Sequence, residues 1–234
     1  MLGFIHSTPF NAADPQFHKD ISFFVFTLPL HHVVQSWLLG AVIVTTLMTM
    51  TMYFIHFTLR GAVFSMTIPV RIHISVLGAL LLFVFGYGYW LDTYDQVFST
   101  GGAVVGATYA DVNAGIPSLR ILAVIVTVGG LLLLANAFWF RSVRLIVGIA
   151  GLWMGSMIIL VFLVPAGVQR FQVEPSELEK EREFIGRNID STRQAFGLNR
   201  IQESSYPISE TPRITKEIVE SNPEIINNLR LSIH

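Results

Sequence analysis

The 234-residue chain has no cysteine and little charge. Without a thiol there is no disulfide framework, zinc–thiolate site, iron–sulfur cluster or cysteine nucleophile. Asp, Glu, Lys and Arg make up 13% of the residues, where a soluble domain carries about a quarter. The net charge of -1 gives no electrostatic reason to bind nucleic acid. The phosphate-cradling patterns GxxxxGK[ST] and GxGxxG do not occur. The opening residues MLGFIHSTPFNA lack the basic start and apolar core of a secretory signal. What remains is a chain that is 52% hydrophobic with a mean hydropathy of +0.58, which places it among membrane proteins.

Charge is also unevenly distributed. Up to residue 169 there are six Lys/Arg and five Asp/Glu, and from residue 170 onward nine and eleven. A boundary is therefore expected near Arg170. Before it, four runs are free of Asp, Glu, Lys and Arg: 33–58, 74–91, 121–140 and 145–164. A helix needs about 20 such residues to cross a bilayer. One charge at mid-helix costs roughly 2.5–3.5 kcal/mol and cancels several aliphatic side chains. The expected fold is an all-α membrane protein with four transmembrane helices (domain 33–169, outer loop 92–120), followed by a mainly helical extracytoplasmic tail over 170–234. Residues 1–32 form an N-terminal segment. Within it ISFFVFTLPL is too short to span, is set off from the first run by Pro29 and the His31–His32 pair, and is expected to lie at the interface, or else to extend the first helix at a tilt. Pro165 is expected to end the fourth span.

Loop charge sets the orientation. Arg60 and Arg71 flank the first connection and Arg141 and Arg144 the third, with no acid in either, whereas the loop 92–120 holds three Asp and one Arg. Basic short loops stay in the cytoplasm. Both termini are then extracytoplasmic in a multi-pass protein of the plasma membrane.

The stretch YGYWLDTYD joins four aromatic rings to two carboxylates. Tyr87, Tyr89, Trp90 and Tyr94 suit an interfacial collar, with Asp92 and Asp95 as the first water-exposed turn. A carbohydrate or cation site is the alternative, although no His or Lys partner for the aspartates is visible in the sequence. The next loop, STGGAVVGATYADV, is expected to be ordered at the interface, with a pore-lining re-entrant loop as the alternative. His56 and His73 fall at similar depth on consecutive antiparallel spans. They are candidate haem or metal ligands, against an ordinary headgroup-level placement, and no cofactor is otherwise implied. The adjacent pair His31–His32 does not share one helix face. Gly148, Gly151, Gly155 and Ser156 form a small-residue strip for close helix packing. It would act within the chain, against Gly129, Gly130 and Asn136, or between copies. In the tail, Pro175, Ser176 and Glu179 read as a helix start. Leu178, Ile185, Ile189 and Phe196 read as its apolar stripe, and Gly197 as its stop. The residues after Leu198 read as a loop, SSYPISETP, a short helix before Pro223, and the apolar Ile225, Ile226, Leu229 and Leu231.

The stretches TPFNAADPQFHKDISFFVFTLPL, RIHISVLGALLLFVFGYGYWLDTYDQVFSTGGAVVGATYADVNAGIPSLRIL and VQRFQVEPSELEKEREFIGRNIDSTRQAFGL resemble an uncharacterised family of bacterial conserved membrane proteins, from about Phe4 to Leu231. The resemblance implies longer proteins, with further spans before this region and a large extracytoplasmic domain after it, so that the chain resembles a middle fragment. It brings no catalytic residues. The expected function is a non-catalytic integral membrane subunit or scaffold whose partners are the lipid bilayer and other membrane chains, or the missing parts of a larger protein. A component of a transport or lipid-handling complex is one alternative, and a haem-binding redox subunit another. Asp, Glu, Lys and Arg inside the spans, the usual mark of an ion pathway, are absent, and His56 sits near the end of its run.

Overall fold

A computed structural model describes residues 2–59, 67–102, 104–201 and 216–223. Arg60, the SSYPISETP loop, Ile225, Ile226, Leu229 and Leu231 lie outside the described residues. The chain divides into two compact units, Met1–Thr192 and Arg193–His234. The second holds a 3-10 turn at Leu198–Arg200 and the short helix α8 (Lys216–Glu220). Gly197, at φ 66°, adopts the left-handed conformation after the preceding helix, a stop that glycine makes without a Cβ penalty.

The first unit is nearly all helix. After α1 (Leu2–Ile5) come α2 (Leu28–Leu59), α3 (Ile68–Asp95), α4 (Ile116–Ala135), α5 (Val143–Met157), α6 (Val164–Val168) and α7 (Glu177–Ala195). Among the described residues there is no strand, only an isolated bridge between Ala13 and Asp20. With their flanking turns the helices make four stretches long and apolar enough to cross a membrane: Phe23–Leu59, Ile68–Phe98, Asp111–Phe140 and Val143–Ala195.

These stretches are longer than the hydrophobic runs, and prolines explain why. Pro29 and Pro165 were expected to interrupt or end helices, yet the backbone runs through both. Proline removes a donor, and its ring crowds the carbonyl four residues back. Four π turns, Phe23–Thr27, Asp111–Gly115, Ile158–Leu163 and Gln169–Val173, each end two residues before a proline: Pro29, Pro117, Pro165 and Pro175. Each places the crowded carbonyl inside a wider turn. The N–H of Leu28 reaches back five residues to Phe23, that of Ile116 to Asp111, Val164 to Ile159 and Glu174 to Gln169. Residues 21–30 therefore continue into α2. The fourth span likewise continues past Pro165 and Pro175 into α7, as one 53-residue helical stretch. Ser176 is not a cap: its hydroxyl donates to the Gln172 carbonyl within the continuing helix.

The core lies between α3, α4 and α5. Ala79, Leu82, Leu122, Val126, Leu133 and Ile149 form one buried cluster. The close approach of α3 and α4 depends on glycine. A Cβ on Gly86 would meet Thr127 Oγ1 at 2.8 Å, and one on Gly130 would meet the Phe83 ring at 2.8 Å. The expected strip on the fourth span is different, because Cβ positions at Gly148, Gly151 and Gly155 point into open space. Among the described residues no other helix comes within 4 Å of those positions, and α5 turns Ile149 toward Gly129 instead. In α2 no residue of the most apolar stretch is buried, against 39% in the third span. Thr45, Thr46, Thr51 and Thr58 there donate to carbonyls four residues back at 2.7–2.9 Å, which satisfies their hydroxyls on an otherwise apolar surface.

Asn136 closes the hairpin between the third and fourth spans. It is fully buried. Its side-chain amide donates to Ser75 Oγ at 2.8 Å and to the Ser142 carbonyl at 3.2 Å, and Oδ1 accepts the Ser142 N–H at 2.9 Å. Its carbonyl accepts the N–H of Arg141, which sits at φ 50°.

Two outcomes are expected in detergent unfolding experiments. N136A leaves Ser142 N–H and Ser75 without partners, at about 1–3 kcal/mol per unpaired group, whereas R141G holds or raises stability by up to about 1 kcal/mol because glycine accepts positive φ. G130A forces the Phe83 ring to move, at about 1–3 kcal/mol, while G151A stays within about 0.5 kcal/mol of the parent chain.

Candidate functional site

Polar chemistry gathers at the end of the bundle where α2 begins and α3 finishes. The antiparallel pairing sets the outer turns of α2 beside the last turns of α3. Leu28 and Leu91 are essentially fully buried there, and with Phe24 they form a small core flanked by Phe17, Phe23, Tyr87 and Tyr94. On this base Asp92 and Asp95 stand three residues apart, on one face of a helix. His32 reaches them from α2: its Nε2 lies 2.9 Å from Asp95 Oδ2. One ligand-type atom from each of His32, Asp92 and Asp95 falls within 4.8 Å of the other two.

The partner missing from the sequence reading is thus His32. The depth comparison that paired His56 with His73 applies equally to the other ends of the same two spans, and it pairs His32 with Asp95. The adjacent histidines diverge: His31 Nδ1 shares a hydrogen bond with Tyr87 OH, two turns along α3 from Asp95. His73 Nδ1 lies 2.6 Å from Tyr53 OH, and the His56 ring meets Phe57 edge-on. Those two imidazoles therefore have separate partners.

The aromatic residues of YGYWLDTYD face in several directions. Tyr94 packs on Phe17 at 4.9 Å and Phe23 at 5.2 Å, and Trp90 meets Tyr94 edge-on at 5.2 Å. Tyr87 stacks on Trp90. Tyr89 points to the opposite side, where its hydroxyl accepts the Trp153 indole N–H at 3.2 Å. Gly88 lets the Gln35 side chain approach, since a Cβ would meet Nε2 at 2.9 Å.

The N-terminal loop braces this end. Asp14 Oδ2 accepts the N–H groups of Gln16 and Phe17, and Asp20 Oδ1 those of Ser22 and Phe10. Lys19 Nζ sits 4.7 Å from the Phe23 ring centre and 5.6 Å from that of Tyr94, cation–π distances. The hydrogen bonds from Ser22, side chain first and backbone second, hold the Asp20 carboxyl at about 2.

A second cluster joins the loop after α3 to α7. Thr108 and Asp111 form a reciprocal cap: Thr108 N–H and Oγ1 donate to Asp111 Oδ2 at 3.0 and 2.9 Å, and the Asp111 N–H donates to Thr108 Oγ1 at 3.2 Å. This is the capping-box geometry, formed here rather than at Ser176. The buried Glu181 accepts the Tyr109 N–H at 3.0 Å, placing an anion at a helix N-terminus. Arg187 donates to Gln16 Oε1 at 2.9 Å, and Asn188 to the Val105 carbonyl at 2.7 Å. These polar contacts, with Phe184 against Tyr109, choose the face that α7 turns inward. Of the stripe read from the sequence, Ile185 is half-buried next to Phe184, while Leu178 is 73% exposed and Ile189 47%.

Asp20 gives a pH dependence. Its folded value lies below the ordinary value of about 4, so its contribution is complete above about pH 4. That contribution is lost as pH falls through about 2. In amide hydrogen exchange, protection of Phe10 and Ser22 is expected to hold down to pH 4, and D20N is expected to lose it at neutral pH.

With this geometry in place, similarity to known proteins is extensive in sequence. The model of the uncharacterised protein family UPF0182 matches residues 1–233. A UPF0182 protein of Moorella thermoacetica is 35% identical over 97% of this chain and 25% of its own length. One from Arthrobacter sp. is 36% identical over 99% and 23%, and one from Bradyrhizobium diazoefficiens 33% over 98% and 25%. No solved structure matches. The chain spans about a quarter of the length of these curated relatives. The match over nearly the whole sequence shows that the chain belongs to the UPF0182 family.

Proposed function

We propose that this chain is a non-catalytic membrane scaffold whose task is to hold extramembrane protein against the Asp95 end of the bundle. The observation that carries this reading is α7. It is fastened to the rest of the first unit through Glu181, Phe184, Arg187 and Asn188, yet leaves Leu178 and Ile189 uncovered. A helix clasped on one side with apolar side chains free on another is a ready surface for further protein. The fraction of its relatives that the chain covers agrees with a role as one part of a larger protein. The Asp95 end would face outward and the Arg141 turn inward, in keeping with the loop charges.

Two experiments test this reading. The region that follows this one in a full-length relative, supplied as a separate polypeptide, is expected to co-purify with the chain in mild detergent. L178E/I189E is expected to abolish that capture while leaving thermal unfolding of the chain within about 0.5 kcal/mol. A chain that stays a monodisperse monomer and never retains the added region would overturn the scaffold reading. Orientation is tested separately, because the sequence has no native thiol to interfere. A membrane-impermeant thiol reagent on intact cells should label T100C and spare S142C, and the reverse pattern would refute the sidedness.

A further inference from the structure

Beyond the scaffold role, we propose that His32, Asp92 and Asp95 form a binding site for a divalent transition-metal ion of the zinc class. Three observations point to it, and none depends on the scaffold reading.

The first is convergence. The ligand atoms come from two helices and gather within 4.8 Å. Two ligands bound at about 2.1 Å on one ion stand about 3.4 Å apart at a tetrahedral angle and about 3.0 Å apart at an octahedral right angle; His32 Nε2 and Asp95 Oδ2, 2.9 Å apart, lie at the right-angle end of that range. Asp92 and Asp95 share a helix face at the i,i+3 spacing that helical bundles use to present metal ligands.

The second is an unfilled bond. His32 Nε2 is shielded from solvent and has no hydrogen-bond partner. Asp95 Oδ2 is near it, but outside the direction in which a ring N–H would point. A buried polar atom without a partner is costly, and an ion between imidazole and carboxylates would satisfy its lone pair.

The third is charge. Two carboxylates held together repel, and among the described residues neither has a Lys or Arg within ion-pair reach. The nearby Lys19 is held over the Phe23 and Tyr94 rings. A divalent cation neutralises the pair. One imidazole nitrogen with two carboxylate oxygens favours zinc, manganese, iron or cobalt over calcium or magnesium, which prefer all-oxygen shells. Water would complete the shell. The buried Leu28 and Leu91 beneath, and the Tyr94–Phe17–Phe23 aromatic packing beside, fix the two helices so that the ligands stay in position.

The test uses the whole chain, tag-free, in detergent or nanodiscs, with zinc and cobalt as probes. The parent protein is expected to retain about one zinc per chain after dialysis. With cobalt it should show visible d–d absorption, and its Tm should rise on adding metal. H32Q is expected to weaken binding at least tenfold. The near-isosteric D92N/D95N should abolish both the cobalt spectrum and the metal-dependent Tm shift, with unchanged helical content by circular dichroism. H73Q, which alters the Tyr53 pair at the other end of the bundle, should leave binding intact. Failure of the parent chain to retain metal would overturn the site, and so would stoichiometric binding that survives D92N/D95N. Loss of binding in H73Q as well would place the metal elsewhere. Because the readouts are metal content and spectrum, failure here leaves the capture experiment above unaffected.

Discussion

The structure depends first on one constraint: in an apolar medium a backbone N–H or C=O finds its partner inside its own helix or goes without. This sequence strains that rule by putting prolines within its helical stretches. The recurring solution is a π turn that ends two residues ahead of the ring, at Pro29, Pro117, Pro165 and Pro175. Each such turn keeps the rod continuous. It also rotates the side chains beyond it relative to a strict 3.6-residue repeat.

The same rule governs the side chains. The threonines of α2 bond back to their own helix, and Asn136 meets Ser75 and Ser142 deep in the hairpin. Histidine, tyrosine and aspartate are kept to the helix ends, where His31 bonds to Tyr87 and His32 stands beside Asp95 without a hydrogen bond. The packed centre belongs to α3 and α4, whose glycines let them approach closely, while α2 presents its apolar side chains outward.

Much of this was legible from residues alone. Four charge-free runs are enough to find four apolar helices, because a single buried charge outweighs several aliphatic groups. The ends of the helices were less legible. Pro29 and Pro165 read as breaks, since the rule against proline in a helix assumes a regular α-helix, and a π turn leaves no signature in hydropathy. The apolar stripe of α7 is visible in the sequence as spacing, but not whether it meets the rest of the chain or further protein. The contacts that set the face, Glu181 on the Tyr109 amide and Arg187 on Gln16, join residues 72 and 171 positions apart. The aspartates seemed to lack a partner for the same reason, since His32 becomes their neighbour only once α2 and α3 lie antiparallel. The glycine strip on α5 shows the converse: a common motif is visible, but among the described residues no other helix closes on Gly148, Gly151 and Gly155, which leaves only its reading as a contact between copies.

The turn at Arg141 and Ser142 has a consequence for biogenesis. Two residues, both tied to Asn136, are all that separate one greasy rod from the next. A link that short gives no slack for the earlier rod to settle in lipid while its successor waits outside. Inserted into a bilayer, the two would enter together as a ready-made hairpin whose Asn136 amide is already paired with Ser142.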